Sequence, residues 1–206
     1  MLPLTTRASL RPFTRPARLL AAALFAAVLL AAGCLGSAKT RYFLLSPTAT
    51  TMAGATTPAA EPVVIRNCQL PDYLNRTEMI MRKGQNEVVI RDFDSWAQAP
   101  EKMIRLILRE NLARILGAEN IAEGKSPQPR SGNLLIDYEF RQLDPTTDGV
   151  LAVNVDCRLH ALPTKTEAIH NLAFTIPLAG KDGGAIATAV NQALARIAEE
   201  TAMMLK

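Results

Sequence analysis

The feature that most constrains the fold is a strict alternation of apolar and polar side chains between residues 151 and 161. A strand with a two-residue period has one covered face and one wet face, which is typical of an antiparallel sheet packed against another layer. Residues 134–141 and 172–178 alternate in the same way. The sequence therefore predicts a one-sided, largely antiparallel sheet. The apolar positions of the clearest strand are Leu151, Val153, Val155, Cys157, Leu159 and Ala161.

Two long amphipathic helices are predicted to cover the apolar face of this sheet. The first runs from about Pro100 to Leu116, with apolar residues every three or four positions and Gly117 as a natural stop. The second begins at about Gly184, and the Gly183-Gly184 pair before it lacks the pattern of a dinucleotide-binding loop. Helices on one face of such a sheet predict a single α+β domain.

Shorter strands are predicted at residues 41–45, 63–65, 79–81 and 88–90, with a hairpin turn over 83–86. Residues 48–62 consist almost entirely of Thr, Ala, Pro and Gly and predict a loop. Residues 63–206 then form the remainder of the domain, and the strand at 41–45 is expected to join its sheet.

The N-terminus has the layout of an export signal. Four arginines precede an uncharged run from Leu19 to Ala32, and Gly33-Cys34 follows. The run is too short to span a bilayer, which takes about 20 apolar residues. A cysteine directly after small residues is typical of a bacterial lipobox, although Ala31 stands where Leu is more common. We expect residues 1–33 to be removed and Cys34 to carry the lipid; the alternative is an ordinary secretory signal with an incidental cysteine.

Lipidation determines the compartment. Residues 34–62 then hold the anchor, the short strand and the loop, and Leu35-Gly36 beside the anchor indicates sorting to the outer membrane, facing the periplasm. Removing the four signal arginines from the 23 basic residues leaves 19, which equals the 19 acidic residues. The processed chain carries no net charge, so we do not expect it to bind nucleic acid.

The sequence offers little catalytic chemistry. Alternation places His160 and His170 on opposite faces, which is unsuitable for a shared metal, and there is no nucleophile elbow or phosphate loop. We therefore predict a non-enzymatic protein with no catalytic, metal-binding or cofactor-binding residues. Cys68 and Cys157 leave two alternatives, a disulfide in the oxidising periplasm or two unpaired thiols, and the second is favoured.

One turn stands out as a candidate contact surface. Its sequence, Leu70-Pro71-Asp72-Tyr73-Leu74-Asn75-Arg76, carries an aromatic and a cation on a Pro-Asp turn. The chemistry favours a packed corner over a loop that contacts a partner. For Trp96, the only tryptophan, a core position is favoured over an interface position. The candidate partner-contact residues are Pro71, Asp72, Tyr73, Leu74 and Arg76.

Several of these features resemble the ABC-type transport auxiliary lipoproteins of the PqiC (YmbA) family. They are the lipoprotein signal, the Tyr42-Phe43-Leu44-Leu45 strand, the 70–76 turn, the strand ending at Arg82, and Trp96-Ala97 before Pro100. The helix carrying Glu110-Asn111-Leu112 follows in the same order. Thr77, where the family often has Pro, and Gln98-Ala99, in place of the more usual Glu, depart from the pattern.

The resemblance implies a non-enzymatic part in lipid transport. Its expected partner is an MCE-domain protein tethered to the inner membrane, whose far end the lipoprotein would dock at the outer membrane. A homo-oligomeric ring of this protein around the partner is a further arrangement that the resemblance allows. The alternatives are a lipoprotein that assists another outer-membrane or secretion complex, and a carrier of a lipid or small ligand.

Overall fold

Seven strands and two helices make up the part of the chain that the computed structural model describes, residues 39–50, 63–117, 121, 134–161 and 166–205. Helix α1 (Pro100–Leu116) separates the first four strands from the last three, and helix α2 (Gly183–Met204) follows them. The strands are β1 (Arg41–Phe43), β2 (Val63–Gln69), β3 (Glu78–Lys83), β4 (Glu87–Trp96), β5 (Leu134–Pro145), β6 (Val150–Ala161) and β7 (Thr166–Pro177).

The strands form two sheets, where the sequence predicted one. The larger sheet has the order β2-β5-β6-β7, and the smaller has the order β1-β4-β3. Three pairs are antiparallel, β3 with β4, β5 with β6 and β6 with β7, whereas β1 pairs parallel with β4 and β2 pairs parallel with β5. The strand predicted at 41–45 is shorter, covering Arg41–Phe43, and it joins the smaller sheet. The α+β class is confirmed, and residues Thr40–Lys206 form one unit of the chain.

The alternation along β6 corresponds to its burial. Its odd-numbered residues from 151 to 159 are buried, and the even-numbered residues Asn154, Arg158 and His160 are partly exposed. Asp156 is the exception on the polar face, because Arg141 and Asn171 cover and bond its carboxylate. The helices cover the buried face, with α1 over β2 and α2 over β6 and β7. Tyr138 of β5 is fully buried there, and its hydroxyl lies 3.1 Å from the Thr201 hydroxyl of α2. The one-sided sheet is therefore as expected.

Both helices begin where the sequence indicated. Helix α1 begins at Pro100 and ends before Gly117, which has φ 93°. Asp182 caps α2 by accepting hydrogen bonds from the backbone N–H of Gly184 at 2.8 Å and of Ala185 at 3.0 Å. A Cβ on Gly183 would lie 2.5 Å from the Phe43 ring, so the close packing of β1 against this helix requires glycine.

The chain after β1 crosses the two helices and is held there by side-chain amides. The Asn191 oxygen accepts from the Ser46 N–H at 2.9 Å. The Asn111 oxygen, fully buried in α1, accepts from the N–H groups of Thr48 and Ala49 at 3.0 Å each. The predicted loop at 48–62 therefore begins in a fixed position. Its residues 51–62, the signal at 1–33 and the anchor Cys34 lie outside the described residues.

Candidate functional site

The 70–76 turn connects β2 to β3 and is folded by its own backbone. The N–H of Leu74 donates to the Pro71 carbonyl at 2.9 Å, and the N–H of Asn75 donates to the Asp72 carbonyl at 3.2 Å. Leu70 is buried and Leu74 packs against the core, while Asp72 and Asn75 are exposed. The turn therefore has an apolar inner side and a polar outer side.

Tyr73 is fixed from the inside of the turn by two charged residues. Its hydroxyl donates to Asp144 Oδ1 at 2.8 Å and accepts from Arg82 Nη2 at 3.0 Å. Asp144, at the end of β5, is 1 % exposed and also pairs with Arg82 Nε at 2.5 Å. The Arg82 guanidinium lies 5.4 Å from the centre of the Tyr73 ring. Tyr73 is thus part of a packed corner, which was the favoured interpretation.

The electrostatics agree with this arrangement. Partial burial and the bond to the Asp144 carboxylate raise the pKa of Tyr73. The bond to the same carboxylate raises the pKa of Arg82. The Tyr73 hydroxyl therefore stays protonated at neutral pH and serves as a structural bridge between β5 and the turn.

The outer side of the turn presents polar groups to solvent. Arg76 pairs with Glu78 at 3.2 Å, with both side chains more than a third exposed. Asn75 Nδ2 donates to Glu101 Oε2 of α1 at 3.1 Å. Asp72 is exposed. Of the predicted contact residues, Asp72 and Arg76 lie on this outer side, whereas Tyr73 and Leu74 face the protein.

A small apolar cavity lies beneath the turn, with a volume of about 30 Å³. Leu70 and Leu74 line it from the turn, together with Trp96 at the end of β4 and Ile104 of α1. This volume suffices for a water-sized body, whereas ligand pockets measure roughly 300–1,000 Å³. The cavity is too small for an acyl chain. Trp96 packs against the core, as favoured from the sequence.

A second polar centre, at Asp94 in β4, was missed by the sequence analysis. The buried Asp94 carboxylate accepts from Arg41 Nε at 2.8 Å and from Arg91 Nε at 2.7 Å. It also accepts from the backbone N–H of Gly183 at 3.1 Å. Burial alone would raise the pKa of Asp94, but the bonds from Arg91 and Arg41 outweigh it and hold the pKa below its ordinary value. No local spacing in the sequence connects residues 41, 94 and 183.

The disulfide considered for Cys68 and Cys157 is not formed in the structure, where both cysteines are free and buried. Cys68 on β2 pairs with Tyr138 on β5, and Tyr138 pairs with Cys157 on β6. Two strand spacings of about 4.8 Å separate the cysteines, whereas bridged Cα atoms lie within about 7 Å. Burial raises the pKa of each thiol to about 12.

The histidines lie on opposite faces of the larger sheet, as predicted. His160 Nε2 is 3.1 Å from Asp137 Oδ2 on the face away from the helices. His170 pairs with Cys157, whose side chain faces the helices. Among the described residues no three His, Cys, Asp or Glu side chains lie close enough together to hold a metal ion.

The smaller sheet exposes an unusual share of apolar surface. Six of the nine large apolar side chains that are exposed in the described part of the chain belong to β1, β4 or the residue after β1. The six residues are Tyr42, Leu44, Val88, Val89, Ile90 and Phe93.

None of the described helices is long and apolar enough to cross a membrane.

Comparison with known proteins identifies a family and a fold. Residues 42–202 match the family described as ABC-type transport auxiliary lipoprotein component. No curated protein matches the chain significantly in sequence. Two crystal structures are similar in fold, one of an uncharacterized protein and one of protein XCC0632 from Xanthomonas campestris, of the family DUF330.

The two structures support the fold alone. The first has a TM-score of 0.65 and 13 % identity, and the match covers 82 % of this chain and 100 % of the other. The Xanthomonas campestris protein has a TM-score of 0.61 and 14 % identity, covering 80 % and 95 %.

Proposed function

Because this chain belongs to the family of ABC-type transport auxiliary lipoprotein components, we propose that it docks an MCE-type lipid transport complex at the outer membrane. In this proposal it is a lipid-anchored, periplasmic, non-enzymatic subunit. The observation that carries the proposal is the family match over residues 42–202, which covers most of the chain that follows the export signal.

The anchor in this proposal is Cys34. Its thiol carries diacylglycerol, and its amino group, freed by removal of residues 1–33, carries a further acyl chain. Each buried methylene contributes about 0.8 kcal/mol, so two or three chains hold firmly where one binds weakly. Leu35-Gly36 beside the anchor supports sorting to the outer membrane. The protein then meets the far end of a partner that is tethered to the inner membrane.

The proposed contact surface is the outer side of the 70–76 turn. The bonds from Tyr73 to Asp144 and from Arg82 to Tyr73 hold the turn from within. A contact surface that is already ordered avoids the entropy of ordering a loop on binding. Asp72 and Arg76 offer one charge of each sign at the surface, while Pro71, Tyr73 and Leu74 support them.

The cavity beneath the 70–76 turn gives the carrier alternative no support. A lipid carrier needs an apolar pocket, and the space between turn and helix α1 measures only about 30 Å³. Assistance to another outer-membrane or secretion complex remains the competing outcome of the experiment below. A ring of copies around the partner is compatible with the proposal, and crosslinks between copies would reveal it.

The test is site-specific photocrosslinking in cells that express the lipidated protein. A photoreactive residue is placed at Asp72 or Asn75 on the turn, and in parallel at Thr175, which is exposed on β7. We expect an MCE-domain protein to be captured from the turn and not from Thr175. Capture of secretion or outer-membrane assembly proteins, with no MCE-domain protein, would overturn the proposal.

Paired substitutions separate docking from folding. Asp72→Ala and Arg76→Ala remove exposed charges without touching the Tyr73 bonds. We expect both to weaken capture while thermal unfolding changes little, since exposed ion pairs contribute about 0–1 kcal/mol. A loss of capture that follows only a loss of folded protein would instead make the turn purely structural.

A further inference from the structure

One end of the smaller sheet combines apolar side chains with an open strand edge. In β4, residues Glu87–Ile90 pair with β3 on one side. On the other side β1 pairs only with Asp94–Trp96, so among the described strands none covers the edge of 87–90. Val88, Val89 and Ile90 are 40–43 % exposed along this stretch. Natural proteins normally cover or charge an edge of this kind.

Strand polarity relates this end of the sheet to the start of β1. Because β1 and β4 run parallel, with Arg41 beside Asp94 and Tyr42 beside Ser95, their N-terminal ends point the same way. The turn at 84–86, which connects β3 to β4, therefore lies at the end of the sheet from which the chain enters β1.

The length of the β3–β4 hairpin sets how far it projects in that direction. Glu78 pairs with Ser95, at the level of Tyr42, and Lys83 is five residues further along β3. At about 3.3 Å per residue, Lys83 lies roughly 17 Å beyond Tyr42 and therefore roughly 13 Å beyond Arg41, where β1 starts.

The chain between the proposed anchor and β1 limits how far the start of β1 can lie from the membrane. Cys34 precedes Arg41 by seven residues, which span at most about 25 Å when fully extended. When the strands lie along the membrane normal with the turn towards the bilayer, full extension of these seven residues leaves about 12 Å between the turn and the anchored cysteine. A path of about half the fully extended length brings the turn level with the anchored cysteine, which lies beside the headgroup layer.

We propose that the β3–β4 turn, with Val88, Val89 and Ile90 behind it, rests in the interfacial layer of the bilayer that holds the anchor. The occupant of this surface is a phospholipid bilayer. The inference rests on the proposed lipid at Cys34. Three apolar side chains beside a polar turn suit an interface that is apolar on one side and wet on the other, and their burial adds to the energy of the anchor.

The experiment uses the lipidated protein reconstituted in vesicles of phosphatidylethanolamine and phosphatidylglycerol that contain brominated acyl chains. Tryptophan is introduced as Val89→Trp or Gln85→Trp, with Thr175→Trp on the polar face as the matched control. Gln85 is exposed in the turn, so this probe disturbs no packed side chain. The unsubstituted protein gives the contribution of Trp96.

We expect a loss of fluorescence and a blue shift of the emission for the two hairpin probes, and neither change for Thr175→Trp. If the protein floats with the vesicles but the hairpin probes are quenched no more than Thr175→Trp, the proposed bilayer contact is wrong. A protein strand is then the expected partner of the open edge. If the protein does not float with the vesicles, the lipid anchor fails, and the proposed function fails with it.

Discussion

At the scale of single residues, the structure depends on a few buried polar groups that join distant parts of the chain. The Tyr73 hydroxyl is one of them, because it is bonded to both Asp144 and Arg82. We expect Tyr73→Phe to lower the free energy of unfolding by about 1–3 kcal/mol, since the buried Asp144 carboxylate loses a donor. Urea unfolding measures this change. Tyr42→Phe is the matched control, because Tyr42 is 70 % exposed, and it should have little effect.

Gly183 is a second important residue, because the Phe43 ring leaves no room for a side chain at this position. A Cβ there would lie 2.5 Å and 2.8 Å from two carbons of the Phe43 ring. We expect Gly183→Ala to cost about 1–3 kcal/mol, as overpacking usually does, despite the better helix propensity of alanine. The control is Gly180→Ala, where the added Cβ would meet its neighbours at an ordinary 3.6 Å. Thermal unfolding compares the stability of the two variants. Equal stability of the two variants would contradict the steric explanation.

At the scale of elements, strand register determines the state of the cysteines. Because β5 lies between the strands that carry Cys68 and Cys157, the two thiols stay apart and buried. With pKa values of about 12, both are un-ionised at pH 8, and the thiolate is the reactive form. We expect neither to be alkylated in the folded protein, and both to be alkylated in denaturant without prior reduction. A requirement for reductant would show that the register is wrong.

Local elements were predictable from the sequence because their signals are local. The apolar spacing in α1, the alternation in β6 and the turn after Lys83 each depend on neighbours within a few residues, and the structure has all three. The division into two sheets was not predictable, since it follows from the parallel pairing of β2 with β5 instead of β3, and Val63 and its partner Leu134 are 71 positions apart. Pairing over that separation depends on tertiary packing and leaves no periodic signal.

The same distinction applies to the candidate site. The 70–76 turn was identifiable from its Pro-Asp chemistry, yet its supports, Asp144 and Arg82, come from two other strands. The exposed residues of β4 were predicted only as part of a strand, because an apolar triplet in sequence does not indicate which edge is left open. Solvent exposure is a property of the assembled sheets.

At the scale of the whole molecule, the polarity of the smaller sheet separates two surfaces with different roles in our proposals. The β3–β4 turn lies at the end of the sheet where the chain enters β1, and the 70–76 turn precedes the opposite end of β3. A bilayer at the first surface leaves the second directed away from the membrane. A partner that crosses the periplasm would approach from that direction, so the two proposed contacts are mutually compatible.

The ion pairs that join the elements should make the stability of the whole domain depend on acid. The pKa of Asp94 is held below its ordinary value against the opposing effect of burial, and bonds from Arg141 and Asn171 lower the pKa of Asp156. A carboxyl whose pKa is lower in the folded state stabilises the fold above its unfolded pKa, near 4, and loses this contribution as pH falls through the folded value. We expect the urea midpoint to be level near neutral pH and to fall below about pH 4.

The variant Asp94→Asn tests whether the Asp94 carboxyl is responsible for the loss of stability in acid. At pH 7 the variant should be less stable, because the guanidinium groups of Arg41 and Arg91 lose a charged acceptor. As the pH falls, the unsubstituted Asp94 becomes protonated and loses the same interaction, so the difference in urea midpoint between the two proteins should shrink. Asp72→Asn, at an exposed position, should follow the unsubstituted protein at every pH. If Asp94→Asn instead stayed below it by a constant amount down to pH 3, the acid sensitivity would belong to other carboxyls, and Asp94 would contribute through packing and hydrogen bonds that do not depend on its charge.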